Sequence, residues 1–173
     1  MTTRRAATAG FPVSRRPSLT TVLAVRAERS DIEHRRLETG IADLCLANNL
    51  KPLTNRHVDL LCNVGSVSVL FEVKTCSPLN IVGPLRCAVI QLLEYRYLYR
   101  NKLNPNVRLC IVSERRPRSN FEWFIGYLEQ LGIGLIWRND GDDNFSCTEF
   151  TRAFLSDLFR SLNDWETRPV MWK

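Results

Sequence analysis

The chain is poor in the residues that build zinc staples. It has two histidines, His34 and His57, and its six cysteines, at 45, 62, 76, 87, 110 and 147, form no Cys-x-x-Cys pair. Structural zinc draws four ligands from such spaced pairs, so a zinc-stapled fold is disfavoured. Most of the cysteines lie in apolar runs, where Cys packs as a small hydrophobe, and a reducing, cytoplasmic setting is the expectation. No run approaches the roughly 18 apolar residues that a membrane span needs, and no signal-peptide core is visible. Acids are missing from one end: residues 1–26 hold five arginines and no Asp or Glu.

What is present suits one domain of moderate size. A chain of about 150 residues buries roughly 68 to 70% of its unfolded surface, enough for a true core. The formal net charge of the 173 residues is +6, but beyond residue 26 only 19 bases stand against 18 acids. Residues 1–25 are therefore expected to form a basic, disordered arm, residues 26–166 the folded domain and residues 167–173 a tail. The arm has three readings: a solvated tail, a phosphate-binding arm without sequence preference, or an organellar targeting segment. Within the domain, residues 96–118 carry seven bases and one acid, whereas residues 120–166 carry three bases and nine acids. Arg96, Arg100, Lys102, Arg108, Arg115, Arg116 and Arg118 are candidates for tracking a polyanion, and an ordinary solvated face is the plain alternative.

Periodicity gives a coarse element order. Leu37, Ile41, Leu44, Cys45 and Asn48 keep helical spacing and predict a helix over 30–48, with Ser30 and Glu33 as a capping box. Residues 50–54 could add a short strand, confined by Pro52 to an edge. Residues 57–64 and 67–74 read as two strands joined by Gly65-Ser66, where glycine in the first place suits a type II′ turn. A proline-rich loop over 75–84 precedes a helix over 85–102. A strand over 107–113, a helix over 121–131, a strand over 133–138, an acidic turn over 139–144 and a helix over 149–162 complete the order. Trp123, Trp137, Trp165 and Trp172 are expected as core or rim aromatics.

The hairpin holds the chemistry. Its turn makes partner numbers sum to 131, so Val64 faces Val67, Leu60 faces Phe71 and Asp59 faces Glu72. Directly opposed side chains have Cβ atoms roughly 4.5 to 5.5 Å apart, and like charges there are destabilising. Val58, Leu60, Phe71 and Val73 are expected to fill one apolar face, leaving Asp59, Glu72 and Lys74 together on the other. A divalent metal, a shared proton or a nearby cation could reconcile the two acids. A metal would use the whole set: Asp59 and Glu72 as carboxylate ligands, the Val73 carbonyl as a third, and Lys74 to orient or deprotonate a water. That chemistry suits hydrolysis of a phosphodiester.

Asp59 followed by Glu72-Val73-Lys74 resembles the PD-(D/E)XK nuclease superfamily, and Gln91-Leu92-Leu93-Glu94-Tyr95 is similar to the QxxxY motif of its RecB-type members. The resemblance covers roughly residues 30–113. It implies an α/β, restriction-endonuclease-like αβββαβ core with a central mixed sheet flanked by helices. It further implies a Mg²⁺-dependent deoxyribonuclease, with Mn²⁺ as a substitute ion, Asp59 and Glu72 as metal ligands and Lys74 as the catalytic lysine. Gln91 and Tyr95 would support the site or the DNA backbone, and Glu38 would add an acid from the first helix, whose family pattern fits Glu38, Ile41, Cys45 and Asn49. Val58 stands where the eponymous proline would be, and Asn49 where glycine is frequent. The alternative is a nuclease-fold module that binds nucleic acid or a protein partner without cutting. DNA is the expected partner and no membrane is involved; RNA as substrate and a homodimer as assembly stay open.

Overall fold

The computed structural model describes residues 19–139 and 144–159. Most of the expected arm, much of the acidic turn and the chain from residue 160 onward, with Trp165, Trp172 and the tail, lie outside the described residues. Six strands form one sheet in sequential order: β1 (Pro52–Leu53), β2 (Leu60–Val64), β3 (Val67–Lys74), β4 (Asn106–Ser113), β5 (Ile133–Arg138) and β6 (Phe145–Cys147). β3, β4 and β5 are parallel, and every other pairing is antiparallel. Four helices flank the sheet: α1 (Leu19–Ala47), α2 (Val82–Leu98), α3 (Glu122–Gln130) and α4 (Glu149–Leu155). The expected α/β class with a central mixed sheet is thus present. No described helix is long and apolar enough to cross a membrane.

Alternation along the strands divides the core into two layers. Val69, Phe71 and Val73 of β3, with Cys110 and Val112 of β4, pack against Leu37, Ile41 and Cys45 of α1 and Leu155 of α4. Leu70, Leu109, Ile111 and Leu135 point the other way, onto Leu85, Ala88, Val89 and Leu92 of α2 and Phe124, Ile125 and Leu128 of α3. Because both faces are covered, the parallel strands read as nearly unbroken apolar runs. Five of the six cysteines are buried within these layers as free thiols, as their apolar setting implies.

Several sequence expectations are corrected here. α1 begins at Leu19, inside the stretch assigned to the arm, because the strong helix formers over 23–29 carry the helix backward past Ser30. Ser30 and Glu33 are consequently mid-helix and form no capping box: the Ser30 hydroxyl meets Thr75 Oγ1 at 2.7 Å, and Glu33 binds Arg138 at 2.6 Å. The helix ends where Asn49 takes a φ of 59°, the left-handed turn that Asn tolerates. β1 is an edge strand that pairs with β2, in keeping with Pro52. α2 starts three residues before the expected residue 85 and stops at Leu98, and the short strand β6 had no counterpart in the sequence reading.

The hairpin register is as expected from Val64–Val67 to Leu60–Phe71, and Gly65 has a φ of 53°. The ladder stops there. Asn55 Oδ1 accepts from the N–H groups of His57 (2.8 Å) and Val58 (3.0 Å), and the Asn55 N–H bonds the Val58 carbonyl at 3.2 Å. This turn curls residues 55–58 out of the strand. Val58 accordingly packs in the α2 layer beside Leu70, not with Leu60 and Phe71.

Candidate active site

The parallel strands end in polar residues after their apolar runs, and Glu72 and Lys74 lie at that end of β3. Glu72 and Lys74 have the strand parity of Leu70, which directs them to the α2 side of the sheet. Glu72 is 2% exposed. Its Oε1 accepts a short hydrogen bond from Lys74 Nζ, while its Oε2 is buried with no hydrogen-bond partner among the described residues. Burial pushes the Glu72 carboxyl above its ordinary range; the Lys74 ammonium opposes the shift and the Asp59 charge adds to it.

Asp59 lies one residue before β2, so it does not face Glu72 as a ladder pair. Its Oδ2 accepts from the Val73 N–H at 2.7 Å, a side-chain bond that takes over where the backbone ladder stops. This removes the close like-charge opposition expected from a continuous hairpin, yet keeps Asp59 close enough for its charge to raise the Glu72 pKa. The other oxygen, Oδ1, is 3.6 Å from His34 Nε2. That contact lifts the His34 pKa, and the charges of Asp59 and Glu38 reinforce it.

The sequence reading missed His34. Its one signal is the four-residue spacing to Glu38, which stacks the two on one helix face. The predicted helix over 30–48 contains His34, but nothing in the sequence shows how that helix lies against the residue before β2. Glu38 is half-buried and reaches the group through its charge on His34. On α2, Gln91 Nε2 donates to Tyr95 Oη at 3.3 Å, as the QxxxY spacing allows. Burial raises the Tyr95 pKa first, followed by the charge of Glu72, which places the phenol within electrostatic reach of the acids.

The basic candidates do not form one patch. Arg115, Arg116 and Arg118 follow β4 at the end where Glu72 and Lys74 lie, whereas Arg96, Arg100 and Lys102 precede it. Arg115 binds Glu114 at 2.9 Å, and Arg116 binds Glu122 at 3.2 Å beneath the Trp137 ring. Arg108 grips Asp157 through both guanidinium nitrogens. At the far end Arg100 stacks on Tyr97, 4.5 Å from the ring centre, and Arg96 and Lys102 are exposed. Lys102 lines a pocket with Asn55, Val58 and Leu70, and the Arg115–Arg118 segment follows the β4 end beside Lys74.

The donor set fits a divalent cation at one point in particular. Glu72 Oε2 is an acceptor withdrawn from water without a donor, an arrangement that costs roughly 1 to 3 kcal/mol unless something occupies it. Against this, among the described residues no group of three or more His, Cys, Asp or Glu side chains is gathered as a metal cage. A cation here would depend on two carboxylates, a backbone carbonyl and water, which is how Mg²⁺ is commonly held. In comparison with known proteins, no family, curated protein or solved structure matches the chain.

Proposed function

We propose that the chain is a metal-dependent nuclease of PD-(D/E)XK type that hydrolyses phosphodiester bonds of DNA. The observation that carries this reading is the unpaired Oε2 of Glu72, buried beside Asp59 and Lys74 at the end of β3. Asp59, Glu72 and the Val73 carbonyl would hold Mg²⁺ or Mn²⁺, which supplies Lewis-acid stabilisation of charge developing on the phosphoryl oxygens. Lys74, already aimed at Glu72, orients the attacking water and stabilises the negative charge that develops on its oxygen. The Val73 N–H fixes the Asp59 carboxylate, and His34 bounds its other side. Gln91 and Tyr95 line the α2 side, Glu38 adds negative charge from α1, and Arg115, Arg116 and Arg118 offer cations to flanking phosphates.

The test is cleavage of single- and double-stranded DNA with Mg²⁺ or Mn²⁺, comparing the full chain with Glu72→Ala and Lys74→Ala. Each substitution is expected to lower the rate by about 10²-fold or more. Cleavage that survives both changes overturns the reading. One observation favours a second reading, a module that binds nucleic acid without cutting: only two carboxylates and no third protein side chain offer themselves as metal ligands among the described residues. Salt-dependent DNA binding unaltered by Glu72→Ala, with no cleavage under either metal, would establish it.

A further inference from the structure

A cleft of about 620 Å³ opens directly beyond Lys74, between the first half of α1 and the loop that leads into α2. One wall is Arg26, Arg29 and Ser30; the other is the stretch from Thr75 to Asn80, and Glu114 closes the floor. The proposed chemistry uses none of these residues.

The charges of this cleft are ordered rather than merely numerous. Glu114 is 5% exposed, and its Oε1 accepts from Arg29 and from Arg115, each at 2.9 Å, while Oε2 accepts from the Cys76 N–H at 2.9 Å. Both oxygens are therefore occupied, and the carboxylate aims two guanidinium groups. The second acid of the cleft, Glu33, is bound to Arg138. Three guanidinium groups, those of Arg29, Arg115 and Arg138, thus serve the two carboxylates, and Arg26 adds a further cation to the cleft wall. The Arg29 side chain lines the cleft, is 60% exposed and donates from Nη2 to Glu114, one of its five N–H donors.

The opposite wall is braced. The Asn80 N–H bonds the Ser77 carbonyl at 3.1 Å and the Ser77 hydroxyl at 3.0 Å, closing a turn with Pro78 in its second place. That turn holds Leu79 out at 91% exposure. An apolar tip on a fixed turn, facing a row of arginines, matches a strand whose phosphates lie on one side and whose bases lie on the other.

We propose that this cleft binds one strand of the nucleic acid next to the reacting phosphate, with Arg26 and Arg29 contacting its phosphates and Leu79 meeting its bases. The proposal rests on the nuclease reading for its direction, since the cleft begins one residue after Lys74. The part of α1 before Glu33 supplies one wall through Arg26, Arg29 and Ser30.

The experiment uses the full chain carrying Lys74→Ala, which removes turnover, and measures anisotropy of a fluorescein-labelled DNA oligonucleotide over a series of salt concentrations. Adding Arg26→Ala is expected to weaken binding about three- to tenfold and to reduce the slope of log K against log salt by about one. Adding Leu79→Ser is expected to weaken binding a few-fold with the slope unchanged. Both positions are exposed, so the fold tolerates these changes. Wild-type affinity and slope in Arg26→Ala overturn the cleft, as does capture of a protein at this surface in place of DNA. Cleavage by the unmodified chain is read separately. Metal-dependent cutting with an unchanged Arg26→Ala slope removes the cleft and keeps the nuclease. A changed slope without cutting removes the nuclease and keeps the cleft.

Discussion

Glu72 and Glu114 close neighbouring parallel strands at the same end of the sheet. Both carboxylates are out of water, at 2% and 5% exposure, and they are fitted in opposite ways. Glu114 has a donor on each oxygen, drawn from α1, from the segment after β3 and from its own neighbour Arg115. Glu72 has Lys74 on one oxygen and, among the described residues, no donor on the other. A buried carboxylate is tolerable only when compensated. Glu114 is compensated within the chain and ties three segments together; Glu72 is compensated by half, the condition of a group that leaves room for a ligand. Burial alone does not distinguish a structural acid from a functional one, whereas the count of satisfied oxygens does.

The largest expected stability effect tests the structural half of this contrast. Glu114→Ala releases Arg29 and Arg115 and leaves the Cys76 N–H without its acceptor. A loss of about 2 to 3 kcal/mol is expected, seen as a fall in Tm of about 5 to 10 °C. The estimate is held down because the Arg29 side chain is largely exposed, where ion pairs contribute little. Thermal unfolding checks it, and an unchanged Tm would place Glu114 and Glu72 in one class.

Glu72→Gln is expected to act in the opposite direction. With divalent ions removed, the ionised Glu72 carboxyl is disfavoured by its surroundings even with Lys74 beside it, as its raised pKa indicates. The neutral amide should therefore raise Tm by about 2 to 4 °C, the equivalent of about 1 kcal/mol in a domain of this size. Mn²⁺ added at about a hundred times its Kd should stabilise the unmodified chain by about 2.7 kcal/mol and leave Glu72→Gln unmoved. A lower Tm in metal-free Glu72→Gln would show that the Lys74 pair more than offsets desolvation, and the contrast with Glu114 would fail.

Glu72 was legible in the sequence and Glu114 was not, for a physical reason. The two-residue turn at Gly65-Ser66 sets the register of a local hairpin, so the placement of Glu72 relative to β2 follows from counting. The same counting puts Asp59 opposite Glu72, but the Asn55 turn ends the ladder one residue too soon, and a side chain capturing nearby N–H groups leaves little trace in hydrophobic patterning. Glu114 depends on contacts across 38 to 85 positions and on a helix whose start was hidden in an arginine-rich stretch, and His34 on how that helix lies against the residue before β2. The strands β3, β4 and β5 were read nearly residue for residue because continuous apolar runs bounded by polar residues admit few alternatives. The three-residue β6, by contrast, is defined only by its pairing with β5.

The smallest expected effect uses pH to separate the groups around Asp59. Glu72 and His34 both bind their protons more tightly in the folded chain than their ordinary values of 4.5 and 6.5 imply, Glu72 mainly through burial and His34 mainly through the Asp59 carboxylate 3.6 Å away. For each group, the favourable contribution of the protonated form is complete below the ordinary pKa and is lost as pH rises through the higher folded value. The metal-free chain should therefore lose stability in two steps, one starting above 4.5 and one above 6.5. Glu72→Gln should remove the lower step, the same change of about 2 to 4 °C in Tm, and His34→Ala the upper, a change of about 1 to 2 °C. Thermal melts from pH 4 to 9 in a chelator would resolve them. A single step abolished by either substitution would mean that the two groups titrate as one through Asp59, in which case Glu72 is set by its neighbours more than by its own burial.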